Sequence, residues 1–111
     1  MKKFIGVKKE QFESANHLVS GMNFGHAIEA ARVHGAKIAR AGWNGIDLFV
    51  VYQKGYPEGI PCNANTAEAF GLEIGDLFKC RPYLQVMCAD GSYQMWNASQ
   101  SDVLADDWMI V

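Results

Sequence analysis

The sequence predicts a small α+β domain in which one main helix packs on a mostly antiparallel sheet. Apolar residues recur at helical spacing over residues 24–34, and two β-prone runs flank Asp90-Gly91 as they would in a hairpin. The chain has 111 residues, of which 50% are apolar and 20% are charged, and this is the size and composition of one globular domain.

The main helix is expected to begin after Asn23 and to end before Gly35. Asparagine is favoured at N-caps, and glycine is favoured just past a helix end. The preceding residues, 1–21, are expected to form an N-terminal extension, whose β-prone start would add an edge strand. The apolar face of the helix has spacings of three and four residues: Phe24, Ala27, Ile28 and Ala31.

Two strands are predicted after this helix, over residues 36–41 and 47–53, and they should pair as a hairpin. The segment between them contains Gly42-Trp43-Asn44-Gly45. Asn44-Gly45 alone would satisfy a tight turn, because both residue types tolerate positive φ at little cost. Trp43 is therefore not needed for the turn, which makes it a candidate for another role.

Residues 54–79 are rich in glycine, proline and asparagine and predict a long connection. A short helix is expected over residues 66–70, with Asn65 as its N-cap and Gly71 after its end. The connection also carries large apolar residues such as Phe70, so it is expected to pack on a neighbour such as another subunit.

The clearest local signal lies near the C-terminus. The runs 82–88 and 92–96 flank Asp90-Gly91, which is the preferred composition of a two-residue type I′ turn. These runs are therefore predicted to form a hairpin.

A short helix and a last strand complete the prediction. Ser99 and Asp102 have the spacing of a capping box, so a helix is expected over residues 100–106. Residues 107–111 are then expected to form the final strand.

Charge and motif content argue against several partners. The formal net charge is −2 at pH 7, so no general attraction to DNA or RNA is expected. No apolar run approaches the ~20 residues of a membrane span, and the start lacks a signal peptide's apolar core. A cytoplasmic protein with no membrane partner is therefore expected.

Three cysteines without C-x-x-C spacing predict free, mostly buried thiols, and the three histidines lack ligand-type neighbours, so no metal or cofactor is expected.

Familiar catalytic motifs are absent from the sequence. It contains no Gly-x-Ser-x-Gly, no phosphate-binding glycine loop before a helix, and no His-Glu-x-x-His. Asp102, Asp106 and Asp107 form an acidic cluster, and paired carboxylates can perform acid–base chemistry. Such a cluster is also typical of helix ends, so no catalytic residue is assigned.

The three tryptophans have neighbours suited to a nucleotide. Trp43, Trp96 and Trp108 each lie beside small polar residues. Indole faces stack on purines, and the polar neighbours can bond ring edges or ribose hydroxyls. Arg40 can bind phosphate oxygens. The sequence therefore holds the parts of a nucleotide pocket, while core packing remains the other interpretation of the tryptophans.

Three stretches resemble a known family of small phage and prophage proteins, the second Thoeris anti-defence family. They are MNFGHAIEAARVHGAKIARAGWNG, NTAEAFGL and PYLQVMCADGSYQMWNASQSDVLADDW. The resemblance covers residues 22–111 and leaves residues 1–21 outside the shortest members. Its specific part combines Gly42-Trp43-Asn44-Gly45 with a second set of residues: Trp96, Ser99-Gln100, Asp102 and Leu104-Ala105-x-Asp107-Trp108.

The resemblance implies a binding protein rather than an enzyme. Studied members bind a cyclic ADP-ribose-type signal made by Thoeris defence enzymes and hold it intact, so that the effector is not activated. They look like homotetramers with ligand pockets at subunit interfaces, and some also hold cyclic dinucleotides in a separate pocket. For this chain, the resemblance implies an extension over residues 1–21 followed by a sponge-like domain over residues 22–111.

Carried over by position, the resemblance also implies a set of ligand-binding residues. Trp43 would stack on a base or form a pocket wall, Asn44 would bond a ring edge or ribose, and Arg40 would contact phosphate. Three residues nearer the C-terminus would complete the site, the last of them accepting hydrogen bonds from ribose hydroxyls: Trp96, Ser99 and Asp102.

Two other functions stay open on the sequence. A nucleotide hydrolase would use Asp102 or Asp107 and would need a divalent metal. A phage structural or host-interaction protein would use its tryptophans only in the core and at interfaces.

Overall fold

The computed structural model describes residues 9–43 and 48–111, which belong to two compact units. The first unit contains the described residues up to Gln53 together with Leu84–Val111, and the second is Lys54–Tyr83. The described elements in chain order are α1 (Lys9–Ser14), α2 (Phe24–His34), β1 (Ile38–Arg40), β2 (Val50–Gln53), β3 (Tyr56–Pro61), α3 (Ala64–Phe70), β4 (Leu77–Cys80), β5 (Tyr83–Met87), β6 (Tyr93–Met95), α4 (Gln100–Val103) and β7 (Trp108–Ile110).

These elements confirm the predicted α+β class. The main sheet has five strands in the order β6-β5-β2-β1-β7, and a separate two-stranded sheet consists of β3 and β4. Strand β1 pairs antiparallel with both β2 and β7, and β5 pairs antiparallel with β6. None of the helices in the described residues has the combined length and apolar character needed to cross a membrane.

The register of the central strands places apolar side chains on one face of the main sheet. Ile38 lies opposite Val50 on one side and opposite Ile110 on the other. All three side chains are fully buried, together with Trp108. The predicted pairing of the strands after the main helix is confirmed, while the turn at residues 44–47 lies outside the described residues.

Helix α2 covers this face and has the predicted bounds. Asn23 is the N-cap, and its Oδ1 accepts a hydrogen bond from the His26 backbone N–H at 2.8 Å. Gly35 ends the helix with φ 70°, and its N–H donates to the Ala31 carbonyl at 3.0 Å. The buried side chains of α2 are all alanines, and such small side chains let a helix lie close to a sheet.

Met22 fixes the start of this helix to the sheet. Its N–H donates to the Trp108 carbonyl at 2.9 Å, and the Trp108 N–H donates back to the Met22 carbonyl at 3.0 Å. The Met22 side chain is only 2% exposed. The chain just before α2 is therefore part of the core as well as of the sheet edge.

Helix α1 differs from the sequence prediction, which gave residues 9–21 no regular structure. Phe12 is its buried residue and lies edge-on to the rings of His17 and His34, with centroid distances of 5.9 and 5.5 Å. One buried side chain in six residues gives almost no periodicity, and for this reason the helix was missed. The predicted edge strand falls in residues 1–8, outside the described residues.

The second unit also differs from the prediction, because it contains two paired strands rather than a connection with one helix. Its proline and glycine content is typical of a loop, but an irregular register between Tyr56 and Ile60 accommodates these residues in β3. The N-cap of α3 is Asn63, whose Oδ1 accepts from the Thr66 N–H at 2.9 Å, so the predicted Asn65 was wrong. Gly71 ends α3 with φ 69°, as expected.

The predicted hairpin of β5 and β6 is confirmed, with a different turn. The Gly91 N–H donates to the Cys88 carbonyl at 2.9 Å, and Gly91 has φ 85°. Asp90 does not have positive φ, since Asn16 is the only described non-glycine residue that does. A type I′ turn needs positive φ at both central residues. The turn is therefore not type I′, and its two central residues, Ala89 and Asp90, are followed by a left-handed glycine.

Candidate functional site

An aromatic cluster brings together the three tryptophans, which are far apart in the sequence. The Trp43 ring centroid lies 5.5 Å from that of Trp108 and 6.2 Å from that of Trp96. Trp96 and Trp108 are 6.0 Å apart, and all three pairs meet edge to face. Phe24 of α2 completes the cluster at 5.4 Å from Trp108. Edge-to-face contacts are a favourable arrangement of aromatic rings, so the cluster is a packed unit.

The tryptophans differ in their access to solvent. Trp108 is fully buried, which makes it a core residue. Trp43 and Trp96 are only partly buried and lie against the edge of this core. Trp108 therefore supports the other two, and only Trp43 and Trp96 have surface left for a ligand.

Arg40 ends β1 and binds two aspartates. Its Nε donates to Asp107 Oδ1 at 3.0 Å, its Nη2 to Asp107 Oδ2 at 3.4 Å, and its Nη1 to Asp102 Oδ1 at 3.2 Å. The Arg40 side chain is 25% exposed. Because a guanidinium has five N–H groups, two of them are left after these three bonds.

Ser99 and Asp102 form the capping box that the sequence predicted. The Asp102 N–H donates to Ser99 Oγ at 3.1 Å, and the Ser99 N–H donates to Asp102 Oδ2 at 3.0 Å. Helix α4 ends at Val103, which is shorter than the predicted 100–106. Both carboxylate oxygens of Asp102 are thus engaged, one by the helix cap and one by Arg40.

Two pKa values in this cluster move in the directions that favour the charged forms. The hydrogen bonds from Arg40 to Asp107, and then to Asp102, raise the Arg40 pKa above its ordinary value. Partial burial opposes ionisation of Asp102, but the hydrogen bonds from Ser99 and Arg40 outweigh it, so the Asp102 pKa is lowered. At neutral pH Arg40 is therefore a cation and Asp102 an anion.

One hydrogen bond connects the charged cluster to the aromatic cluster. Trp108 Nε1 donates to the Asp102 backbone carbonyl at 2.8 Å. A buried indole N–H normally needs such a partner. The position of α4, and with it that of Asp102, is therefore tied to the core residue Trp108.

A groove of about 660 Å³ lies on the face of the main sheet that α2 does not cover. Ile38 and Ile110 point toward α2, so their neighbours Ala39 and Met109 point to the opposite face. Both of these neighbours line the groove, and Arg40 and Trp43 border it as well. The remaining lining includes Lys37, Phe49 and Met87.

The structure unites most of the predicted site residues but places few of them on the groove. Arg40, Trp43, Trp96, Ser99 and Asp102 belong to one connected set of ring contacts, ion pairs and cap bonds. Of these, only Arg40 and Trp43 border the groove. Asn44 lies outside the described residues.

Sequence reasoning missed the groove residues on the strands. Lys37 and Phe49 lie one residue before Ile38 and Val50, which are buried under α2. The alternation of side chains along a strand was the signal that could have placed them on the opposite face.

The histidines and cysteines behave differently from one another. All three histidines, which looked scattered in the sequence, line a cavity of about 250 Å³ beside Phe12. No group of three potential metal ligands in residues 9–43 and 48–111 is arranged to hold an ion. The three cysteines are free as predicted, although only Cys62 is fully buried.

Comparison with known proteins gives consistent matches. The model of the Thoeris anti-defense 2-like domain matches residues 22–111. The Thoeris anti-defense 2 protein of Bacillus phage SP01 is 31% identical over 93 residues, which cover 81% of this chain and 94% of that protein. The chain therefore belongs to the Thoeris anti-defense 2-like family.

Proposed function

We propose that this protein binds a cyclic ADP-ribose-type immune signal and sequesters it without cleaving it. Family membership supports a phage anti-defence role, and the proposal adds the ligand and the mode of action. The protein would act in the cytoplasm of the host bacterium, where such a signal is made, and it would need no cofactor.

The groove beside Trp43 is the observation that carries this proposal. Its volume of about 660 Å³ is within the ~300–1,000 Å³ typical of small-molecule sites. Trp43 offers an aromatic surface at its border, Lys37 offers positive charge, and Arg40 offers N–H donors, although its own charge is paired with Asp102 and Asp107. An aromatic surface next to cations is suited to a ligand that combines a purine with a pyrophosphate.

Arg40 can contribute without giving up its aspartates. Three of its five N–H groups bond Asp102 and Asp107, and two remain for phosphate oxygens. The aspartates hold the guanidinium in one orientation, so little side-chain entropy is lost when phosphate binds. Such preorganisation favours the high affinity that a sponge needs, since a Kd near ~10 nM corresponds to about −11 kcal/mol.

The state of the carboxylates supports binding without turnover. A hydrolase would need Asp102 or Asp107 as an acid or a base with a pKa near the working pH. The hydrogen bonds from Ser99 and Arg40 instead lower the Asp102 pKa, which makes this group a weak base and keeps it ionised. Both oxygens of Asp107 accept hydrogen bonds from Arg40.

We also propose that the protein works as a homotetramer with pockets completed at subunit interfaces. The second unit supports association, since Phe70, Ile74 and Leu77 are 66%, 73% and 67% exposed. Several exposed large apolar side chains within one small unit favour a surface that a partner covers.

The test is to incubate the purified protein with cyclic ADP-ribose isomers and cyclic dinucleotides, remove free ligand, denature the protein and identify the released molecules by mass spectrometry. One intact nucleotide is expected. Trp43→Ala should abolish its retention, whereas Phe24→Leu should not, because Phe24 belongs to the same aromatic cluster but does not line the groove.

Each other outcome points to a different function. A cleaved product would replace the sponge with a hydrolase and direct attention to the aspartates. Retention of no nucleotide would favour the structural or host-interaction role, with the tryptophans serving the core. Equal loss in Trp43→Ala and Phe24→Leu would mean that the cluster as a whole, and not the groove wall, supports binding.

A further inference from the structure

The face of the sheet opposite α2 carries a second depression, of about 360 Å³, next to the groove. It shares Lys37 and Phe49 with the groove, so the two form one continuous trough. The additional lining comes from residues of β2, β5 and β6: Val51, Gln53, Gln85 and Tyr93. Among the described residues, none of the predicted site residues lines this end of the trough.

Two glutamines from neighbouring strands pair at this end. Gln53 Nε2 donates to Gln85 Oε1 at 2.9 Å. This bond does not use the Gln53 amide oxygen or the Gln85 amino group. Reversing the direction of the bond would exchange the two roles but would again leave one acceptor and one donor. The pair therefore presents a donor and an acceptor whichever amide donates.

Lys37 supplies the charge between the two ends of the trough. Its Nζ lies 4.9 Å from the centroid of the Phe49 ring, where the aromatic face stabilises the cation. No acidic side chain lines either part of the trough among the described residues. Lys37 would therefore attract a negatively charged ligand at the point where the two parts of the trough meet.

We propose that Gln53 and Gln85 recognise the base of an adenine nucleotide, while Lys37 binds its phosphate. A donor beside an acceptor matches the N7 acceptor and the 6-amino donor of adenine. Hypoxanthine presents two acceptors at the same edge and leaves the Gln53 oxygen facing another acceptor. The inference rests on the proposed function, because it assigns the base of the same ligand to the end of the trough away from Trp43, which then forms a wall of the groove.

The test uses the full-length, 15N-labelled protein and two small probes, adenosine 5′-monophosphate and inosine 5′-monophosphate. Titration with the adenine probe should shift the side-chain amide signals of Gln53 and Gln85. Adenosine 5′-monophosphate should also bind about 10-fold more tightly than inosine 5′-monophosphate, which is the order of discrimination expected of one donor–acceptor pair. The double variant Gln53→Leu/Gln85→Leu should bind both probes equally.

Two controls make the result specific. Gln94→Leu changes an exposed glutamine of β6 that is next to Tyr93 in the chain and therefore points to the other face of the sheet, so it should keep the 10-fold preference. Lys37→Met should weaken binding of adenosine 5′-monophosphate but not of adenosine, which has no phosphate.

The outcomes separate this inference from the proposed function. If an intact cyclic nucleotide is retained but the amide signals of Gln53 and Gln85 do not respond to the adenine probe, the base assignment is wrong and the proposed sequestration is still supported. Amide shifts with an adenine preference, but without retention of a cyclic nucleotide, would support the base assignment and overturn the sponge. A double variant with altered oligomeric mass by light scattering and an unchanged probe preference would make this face a subunit interface, and the inference would be wrong.

Discussion

Replacing Trp108 with phenylalanine tests the connection between the aromatic core and the charged cluster. The Trp108 side chain is fully buried, and its Nε1 donates to the Asp102 carbonyl at 2.8 Å. Phenylalanine keeps an aromatic ring in the core but removes the donor and part of the buried volume.

The size of the effect can be worked from these two losses. The missing volume is roughly 40 Å³, which at about 24 cal/mol per Å³ of cavity costs ~1 kcal/mol. Loss of the hydrogen bond adds about 1 kcal/mol. The free energy of unfolding should therefore fall by about 2 kcal/mol, which lowers the Tm of a domain of this size by roughly 8–15 °C.

Urea unfolding followed by circular dichroism measures this change, and Trp43→Phe is the matched control. Trp43 is only partly buried, and its indole N–H donates no hydrogen bond to the described residues. The control should therefore lose less than about 1 kcal/mol. If the free energies of unfolding of the two variants differ by less than about 0.5 kcal/mol, the hydrogen bond from Trp108 does not contribute the ~1 kcal/mol assigned to it.

Two further predictions concern the charged cluster and the second unit. Because the pKa of Asp102 is lowered in the folded protein, its ionised form stabilises the fold at pH values above about 4, the pKa in the unfolded chain. This stabilisation is lost as the pH falls through the lower pKa of the folded state. Asp102→Asn should therefore cost more stability in urea at pH 6 than at pH 3, and an equal cost at both pH values would contradict the ion pair. Gly55 and Gly71 have similar positive φ, 67° and 69°. A Cβ added at Gly55 would overlap the backbone at Cys80 and Arg81, whereas a Cβ added at Gly71 would meet open space. Gly71→Ala should cost ~1 kcal/mol of conformational strain and Gly55→Ala clearly more, and equal Tm losses would show that the backbone around Cys80 yields freely.

The parts of the fold that the sequence predicted well are held by local interactions. Helix α2 has its predicted ends because Asn23 and Gly35 satisfy the helix termini within a few residues of themselves. The hairpin at Asp90-Gly91 also forms locally, although its turn type differs, because only Gly91 adopts positive φ. Ser99 and Asp102 form the predicted capping box for the same reason.

The missed elements depend on contacts that no local pattern shows. Helix α1 has a single buried side chain, Phe12, and that residue packs on His34 of another helix. Strand β3 contains proline and glycine, which predict a loop, but its pairing with β4 stabilises it as a strand. In both cases tertiary contacts outweigh the local preference of the residues.

For the site, the residue types and the local cap can be read from the sequence: three tryptophans with small polar neighbours, an arginine at a strand end and a capped acidic helix. The tertiary structure decided how they are used. It buried Trp108, left Trp43 at the groove border and bound Arg40 to aspartates more than sixty residues away. It also brought Gln53 and Gln85 together across 32 residues of chain. Residue type and local capping are encoded in short stretches, whereas burial and the pairing of distant side chains exist only after the strands have found their neighbours.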